Sequence, residues 1–249
     1  VDMPGKCTGT AEYGIDVDLP GLLYATVKRN PRLGGRMVGF DASKASRARG
    51  VERIIPMETG VIVVATNTWY AFQAVEQIEI DWGPAPYPET TAGHREHVEA
   101  AFEGRPYYRA RNDGDVDAAL DGAPVIEGEY RVPYVAHAAM EPLNATALLK
   151  DGRLEIWAGN QFPTLARLIG ARLTGLKKDD VRVHTPYMGG AFGRRFDMDD
   201  VEAAVRAAQA IPGRPVRVTY SREEDFTHDT YRPMATARFR ASVAEGKPR

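Results

Sequence analysis

Gly189-Gly190-Ala191-Phe192-Gly193-Arg194-Arg195 is the stretch with the clearest chemical potential. Its glycines free the backbone to take left-handed conformations and to bring N–H groups close to an anion or a metal-bound oxygen. It is not a dinucleotide fingerprint: the third glycine of that pattern is missing, and no acidic residue follows at a second strand end. It also lacks the Gly-Lys-Ser/Thr ending of a phosphate-binding P-loop. Taken alone, it equally suits a tight turn that merely needs glycine.

Other candidates lie along the chain. Gln161, at the end of Trp157-Ala158-Gly159-Asn160-Gln161, carries a neutral amide that can donate and accept hydrogen bonds. The same residue could instead satisfy the start of the helix that follows. Phe192 is either an aromatic wall or a core residue. His137 and Glu141 have a spacing more common for a structural hydrogen-bonded pair than for a metal site, and no metal ligands are assigned. Arg222 and Asp225 suit an ion pair at a turn. The single cysteine, Cys7, excludes an internal disulfide and a cysteine-ligated iron-sulfur cluster held by this chain alone.

These residues need a scaffold, and the patterning describes an α/β (α+β) protein. Leu22 to Val27, Arg36 to Phe40, Val51 to Pro56, Val61 to Ala65 and Glu79 to Trp82 read as strands. Asp41 and Ser43 are placed to cap a short helix, and Asn67 or Thr68 the next, whose Ala71, Ala74, Val75 and Ile78 form one apolar face. Residues 84–122, rich in Pro, Gly and charge, read as an exposed connector with short helices around His94 to Glu103 and Asp115 to Leu120. A second unit then starts with an extended run, Ile126 to Val132. Asn144 to Leu149 and Leu154 to Trp157 make a hairpin across Asp151-Gly152. Pro163 opens a helix with a Leu165, Leu168, Ile169 and Leu173 stripe that Gly175 ends. Val181 to Thr185 leads into the glycine loop. Beyond it come a helix with Val201, Ala204, Val205 and Ala208 inward, and the strand Val216 to Tyr220. Pro233 to Val243 is a strand that Ala244-Glu245-Gly246-Lys247-Pro248 turns back, and it is expected to keep an unpaired edge.

The bulk numbers remove several classes of function. With 32 basic and 34 acidic side chains the chain has no field to gather nucleic acid or anionic lipid. Its apolar runs fall far short of the roughly 20 residues that cross a bilayer. No targeting signal is visible at Val1 to Lys6, which leaves bacterial cytoplasm and periplasm both open.

The order and spacing of four segments go further. His137-Ala138-Ala139-Met140-Glu141-Pro142, Trp157 to Gln161, the glycine loop, and Ser221 to Phe226 with Tyr231-Arg232-Pro233 resemble the large subunits of xanthine dehydrogenase/aldehyde oxidase-type molybdenum hydroxylases, as does Gly9 to Val17. The wording Met188 to Phe192 and the Arg194-Arg195 pair are most similar to the isoquinoline-oxidising branch. The resemblance implies an α/β hammerhead domain at 1–83, the connector at 84–122, and the first part of a molybdopterin-binding domain at 123–249, together an internal piece of a longer subunit. It implies a molybdopterin-type cofactor, in cytosine dinucleotide form, against Gly159, Asn160, Gln161, Gly189, Gly190, Ala191, Phe192, Gly193 and Arg194. Gln161, Phe192 and Arg232 are implied at the catalytic centre, with His137 and Glu141 in support.

The implied reaction is hydroxylation of a carbon beside a ring nitrogen, or of an aldehyde carbon, with water as oxygen source. Electrons would leave through a two-iron-two-sulfur small subunit. Where purine-oxidising members carry an acid, this sequence has Phe196, which points away from purines. The family's catalytic glutamate is implied in a segment absent here, so the chain alone is expected to be inert and to hold no cofactor stably. Two other classes stand beside this one: a non-catalytic binding or assembly module with the same fold, and an unrelated nucleotide-dependent dehydrogenase.

Overall fold

The computed structural model describes residues 3–244 and 247–248. In chain order its elements are α1 (Met3–Thr8), β1 (Leu23–Arg29), β2 (Met37–Asp41), β3 (Val51–Met57), β4 (Gly60–Ala65), α2 (Thr68–Val75), β5 (Glu79–Trp82), α3 (Thr91–Ala100) and α4 (Val116–Leu120). There follow β6 (Val125–Val132), β7 (Asn144–Lys150), β8 (Arg153–Trp157), α5 (Pro163–Thr174), β9 (Val181–His184), α6 (Asp199–Ala210), β10 (Val216–Thr219), α7 (Arg222–Thr227), β11 (Ala235–Ala244) and β12 (Lys247–Pro248). The α/β class read from the patterning is the one observed.

The division of the chain differs from the expected one. Two compact units form, one of Val1–Pro86 with Ala136–Thr230 and one of Tyr87–Val135 with Tyr231–Arg249. The reason is strand pairing. In the larger unit a seven-stranded sheet runs β3-β4-β1-β10-β7-β8-β9, and β1 pairs in parallel with β10, Leu23 opposite Val216. Strands from both sides of the expected connector therefore share one sheet.

Every residue of β4 is buried, because the strand serves two cores. Ile62 and Val64 pack with Leu23, Ala25 and Val27 against the core under α5 and α6, while Val61 and Val63 face Ala74, Val75 and Ile78. That accounts for an unbroken apolar run where a half-exposed strand would alternate. Each fully buried Val or Ile contributes about 1.5–3 kcal/mol. Asn67 caps α2 by accepting from the Tyr70 N–H. The Asp41 carboxylate instead accepts from the backbone and hydroxyl of Ser43, and a short 3-10 turn at Ala45–Arg47 replaces the expected capped helix.

In α5 the expected Leu stripe is displaced. The buried positions are Ala166, Gly170 and Ala171, whereas Leu168 is exposed and Leu165, Ile169 and Leu173 are half-buried at the flanks. A Cβ on Gly170 would stand 2.8 Å from Leu154 and 2.9 Å from Ile156 side-chain atoms, so small residues face the sheet because the helix lies close to it. The β7–β8 hairpin turns at Asp151 and Gly152, both left-handed, as the Asp-Gly signal requires.

The smaller unit is built on β6 and β11, paired antiparallel from Val132–Ala235 to Val125–Ser242. The strand was expected to keep an unpaired edge: β6 covers one edge, and β12 pairs with the other only at Val243 and Ala244, so among the described residues most of that second edge has no strand partner. Residues Glu245 and Gly246 of the expected turn lie outside the described residues. The helices expected around His94 to Glu103 and Asp115 to Leu120 are present as α3, a 3-10 turn and α4. They do not stand apart as a free connector: Arg131 bridges to Glu99, and Arg238 lies over the Phe102 ring.

Residues 104–114 have no helix or strand and are exposed throughout. Limited trypsin digestion should therefore cut first at Arg105, Arg109 or Arg111. First cleavage within β4 or α2, identified by mass spectrometry, would contradict this division.

Candidate functional site

The glycine loop lies between β9 and α6, in the larger unit. Its conformation is set by a buried ion pair that the sequence did not single out. The Glu141 and Arg195 side chains are 6% and 1% exposed, and Arg195 Nη2 donates to Glu141 Oε2 at 2.9 Å. The other Glu141 contacts come from distant segments: Oε1 accepts from the Ile15 N–H at 3.0 Å and Asn144 Nδ2 at 2.9 Å, and Oε2 accepts from the Gly189 N–H at 2.7 Å. Arg195 spends its remaining donors on backbone oxygens of Gly190, Gly159, Glu141 and Pro142. One pair thus fixes residues near 15, 141, 159 and 190 together. Glycine is obligatory at 189, where a Cβ would lie 2.4 Å from that of Glu141.

Within the loop, Gly190 and Gly193 have φ of +107° and +112°, and Phe192 holds a left-handed φ of +56°. A left-handed conformation costs a non-glycine residue roughly 1–2 kcal/mol, and such positions collect at functional sites. Phe192 is 76% exposed, so it is not a core phenylalanine. Among the described residues, the backbone N–H groups of Gly190, Ala191, Phe192 and Gly193 have no acceptor.

Gln161 is exposed, and its backbone N–H donates to the Arg195 carbonyl at 3.2 Å, which ties it to the end of the loop. It does not cap α5, where no side-chain cap bond is made. Asn160 is buried and occupied locally, donating to the Ala158 carbonyl and accepting from the Phe162 N–H. Gly159 gives its carbonyl to Arg195, and a Cβ there would meet Met188 at 2.8 Å. Beside Gln161, Phe162 stacks on Phe196 with ring centroids 5.6 Å apart, both exposed. Sequence reading missed Phe162 because nothing in its spacing separates it from a helix-leading core residue.

Arg194 differs from its expected role. It is buried and holds Asp199 with two bonds of 3.0 Å, its Nε lies 3.3 Å from Asp229, and it donates to the His228 carbonyl. It therefore braces the loop from behind instead of facing a ligand. Arg29 reaches the same cluster through Asp199 at 3.1 Å and Glu224 at 3.0 Å. Arg222 and Asp225 form the expected ion pair at 3.3 Å. Arg232 belongs to the smaller unit, is exposed, and donates to the Pro133 carbonyl at 2.8 Å. No cluster of three or more His, Cys, Asp or Glu positioned for a metal occurs among the described residues. Nor is any helix long and apolar enough to cross a membrane.

The start of α6 concentrates acid. Burial works against ionisation of Asp199, but the Arg194 and Arg29 guanidiniums outweigh it and hold this carboxyl below its ordinary range. Asp200 has no such bonds: burial, reinforced by the charge of Asp199, pushes it up to about 7. In the unfolded chain an aspartate titrates near 3.9. Between about 4 and 7 the folded state keeps a proton that the unfolded state has released, so this residue's contribution to stability falls as pH rises through that window. Asp200→Asn should gain stability over the parent chain at pH 8 relative to pH 5 by urea denaturation, and a gain larger at pH 5 would refute the assignment. Glu141→Gln leaves the Arg195 charge buried without its bonded partner and should cost about 3–5 kcal/mol; a loss below about 1 kcal/mol in the same assay would show the pair to be incidental.

Comparison with known proteins bears on what this surface is for. The family model for the molybdopterin cofactor-binding domain matches residues 99–247. Over 256 residues the chain is 31% identical to a membrane-bound aldehyde dehydrogenase (pyrroloquinoline-quinone) of Gluconacetobacter polyoxogenes, covering 96% of this chain and 32% of that protein. It is 31% identical over 255 residues to isoquinoline 1-oxidoreductase subunit beta of Brevundimonas diminuta, covering 98% of this chain and again 32% of the relative. The chain thus spans about a third of the length of these relatives. Its fold matches the crystal structure of quinoline 2-oxidoreductase from Pseudomonas putida 86 with a TM-score of 0.76 at 21% identity, over 97% of this chain and 36% of that one. The chain belongs to the molybdopterin cofactor-binding domain family, in agreement with the molybdenum hydroxylase resemblance carried by its motifs.

Proposed function

We propose that the loop at Gly189 to Gly193, with Gln161 beside it, is one wall of a molybdenum-cofactor site in a hydroxylase of N-heterocycles or aldehydes. The observation that carries this reading is the run of four loop N–H groups without acceptors, on a backbone that only glycine permits at 189. Such a surface suits an anionic, oxygen-rich group. A metal arriving within an organic cofactor also agrees with the lack of a ligating cluster among the described residues. When bound, that cofactor supplies two-electron oxidation of a carbon centre with water as oxygen source. The chain's own residues do the holding: Gly190, Ala191, Phe192 and Gly193 through backbone N–H groups, and Gln161 through its amide. Arg194 braces the loop through Asp199.

The exposed Phe162–Phe196 stack supports a flat, apolar substrate such as an isoquinoline-like ring or an aromatic aldehyde. A purine N–H buried against these rings would lack a partner. We further propose the cytosine dinucleotide form of the cofactor and a two-iron-two-sulfur small subunit as electron exit. Residues 1–83 are proposed to correspond to the hammerhead portion of the family's subunits. With a third of its relatives' length, the isolated chain should hold no stoichiometric molybdenum and reduce no dye.

The test is made on the intact enzyme. Metal analysis should find molybdenum, and dye reduction should follow isoquinoline or an aromatic aldehyde but not xanthine. Gln161→Ala should lower kcat more than it raises KM, since the Gln161 amide would contact the bound cofactor and not the substrate. An intact protein without molybdenum would favour a binding or assembly role, and one carrying a quinone would redirect the reading to that cofactor.

A further inference from the structure

His137 has no role in the site as described so far, yet its ring is held with care. Its Nδ1 lies 2.7 Å from Asp229 Oδ1, and its backbone N–H donates to Asp229 Oδ2 at 2.5 Å. The Asp229 side chain is 2% exposed and also faces Arg194 Nε at 3.3 Å, so it is fixed from a third direction. With Nδ1 committed as donor to a carboxylate, the ring's remaining hydrogen-bonding atom is Nε2. Among the described residues Nε2 has no partner, and the side chain keeps 19% of its exposure. Nε2 also lies against the loop: a Cβ placed on Gly193 would stand 3.3 Å from it. Glycine at 193 therefore does two things. It permits the φ of +112°, and it leaves the imidazole edge uncovered beside the four free N–H groups.

We infer that His137 is a ligand-contacting residue which, as an imidazolium with Nδ1–H held by the Asp229 carboxylate, donates from Nε2–H to an anionic oxygen of phosphate type seated on the loop. The inference builds on the cofactor-loop reading and adds to it a side chain, with Asp229 and Arg194 as its positioning residues. The competing role is purely structural, a tether between residues 137 and 229 in which Nε2 is dispensable. The two roles use different ring nitrogens, so they can be separated. Asparagine places its amide near the Nδ1 position and keeps both bonds of the tether, while glutamine reaches the Nε2 position and gives up the side-chain bond, leaving the backbone one.

The probe is inorganic phosphate, titrated into the 249-residue chain and followed by long-range proton–nitrogen NMR of the histidine rings. The His137 Nε2 resonance should shift saturably. His137→Asn should keep its melting temperature yet bind phosphate about tenfold more weakly or worse, the effect of losing one hydrogen bond to a charged group. His137→Gln should melt lower and retain more of the binding. An unmoved Nε2 resonance, or phosphate binding by His137→Asn equal to that of the parent chain, overturns the inference; if both variants fail to fold, the parent chain's Nε2 shift decides. Phosphate carried by a cofactor and free phosphate present the same oxygens. In the intact enzyme, His137→Asn should lower cofactor retention in the first case and leave it unchanged in the second. An intact enzyme that never holds molybdenum would end the cofactor reading while leaving the phosphate result to stand on its own.

Discussion

A carboxylate and a guanidinium removed from water together are favourable only if nearly every donor and acceptor on them finds a partner. Glu141 and Arg195 meet that condition by drawing on segments far apart in the chain, from Ile15 to Gly190. The pair is therefore less a source of net stability than a constraint on arrangement: the site surface exists only when the Gly9–Val17 strap, the start of β7, the end of β8 and the glycine loop are all in place. This explains how a loop with three glycines and unsatisfied N–H groups can be held in one shape. Its flexibility is removed from behind, by side chains that never reach the ligand face.

The same division of labour runs through the second buried cluster. Arg194 and Arg29 share Asp199, and Asp229 links Arg194 to His137. Two adjacent arginines, alike in sequence, anchor opposite sides of the loop. Local position says nothing about direction, and the Arg194 side chain turns to Asp199 and Asp229. After Gly193, the chain turns inward, and both guanidiniums follow it.

How far the sequence speaks depends on the range of the interaction. Local signals held: the Asp151-Gly152 hairpin, the Asn67 cap, Pro163 and Gly175 at the ends of α5, and the inward face of α6 all arise within a few residues. Gln161 and the end of the glycine loop are tied together, since the Gln161 N–H is bonded to the Arg195 carbonyl. Pairings over long separations were not legible. Nothing near Val216 announces Leu23 as its neighbour and nothing near Ala235 announces Val132, so these pairings could not be read from the sequence. His137 and Asp229 likewise have no spacing that reveals them as a pair.

The parallel pairing of β1 with β10 also bears on how this chain is made. A ribosome releases Leu23 long before Val216, and at about 5–20 residues per second the interval is roughly ten to forty seconds. Through that time the antiparallel pairing of β1 with β4 is available, but one edge of β1 waits for a strand not yet synthesised. Its Leu23, Ala25 and Val27 would meet solvent with no helix layer above them, since α5 and α6 also come later. The vulnerability of this sheet to misfolding is thus set by the order of synthesis as much as by the stability of the finished fold.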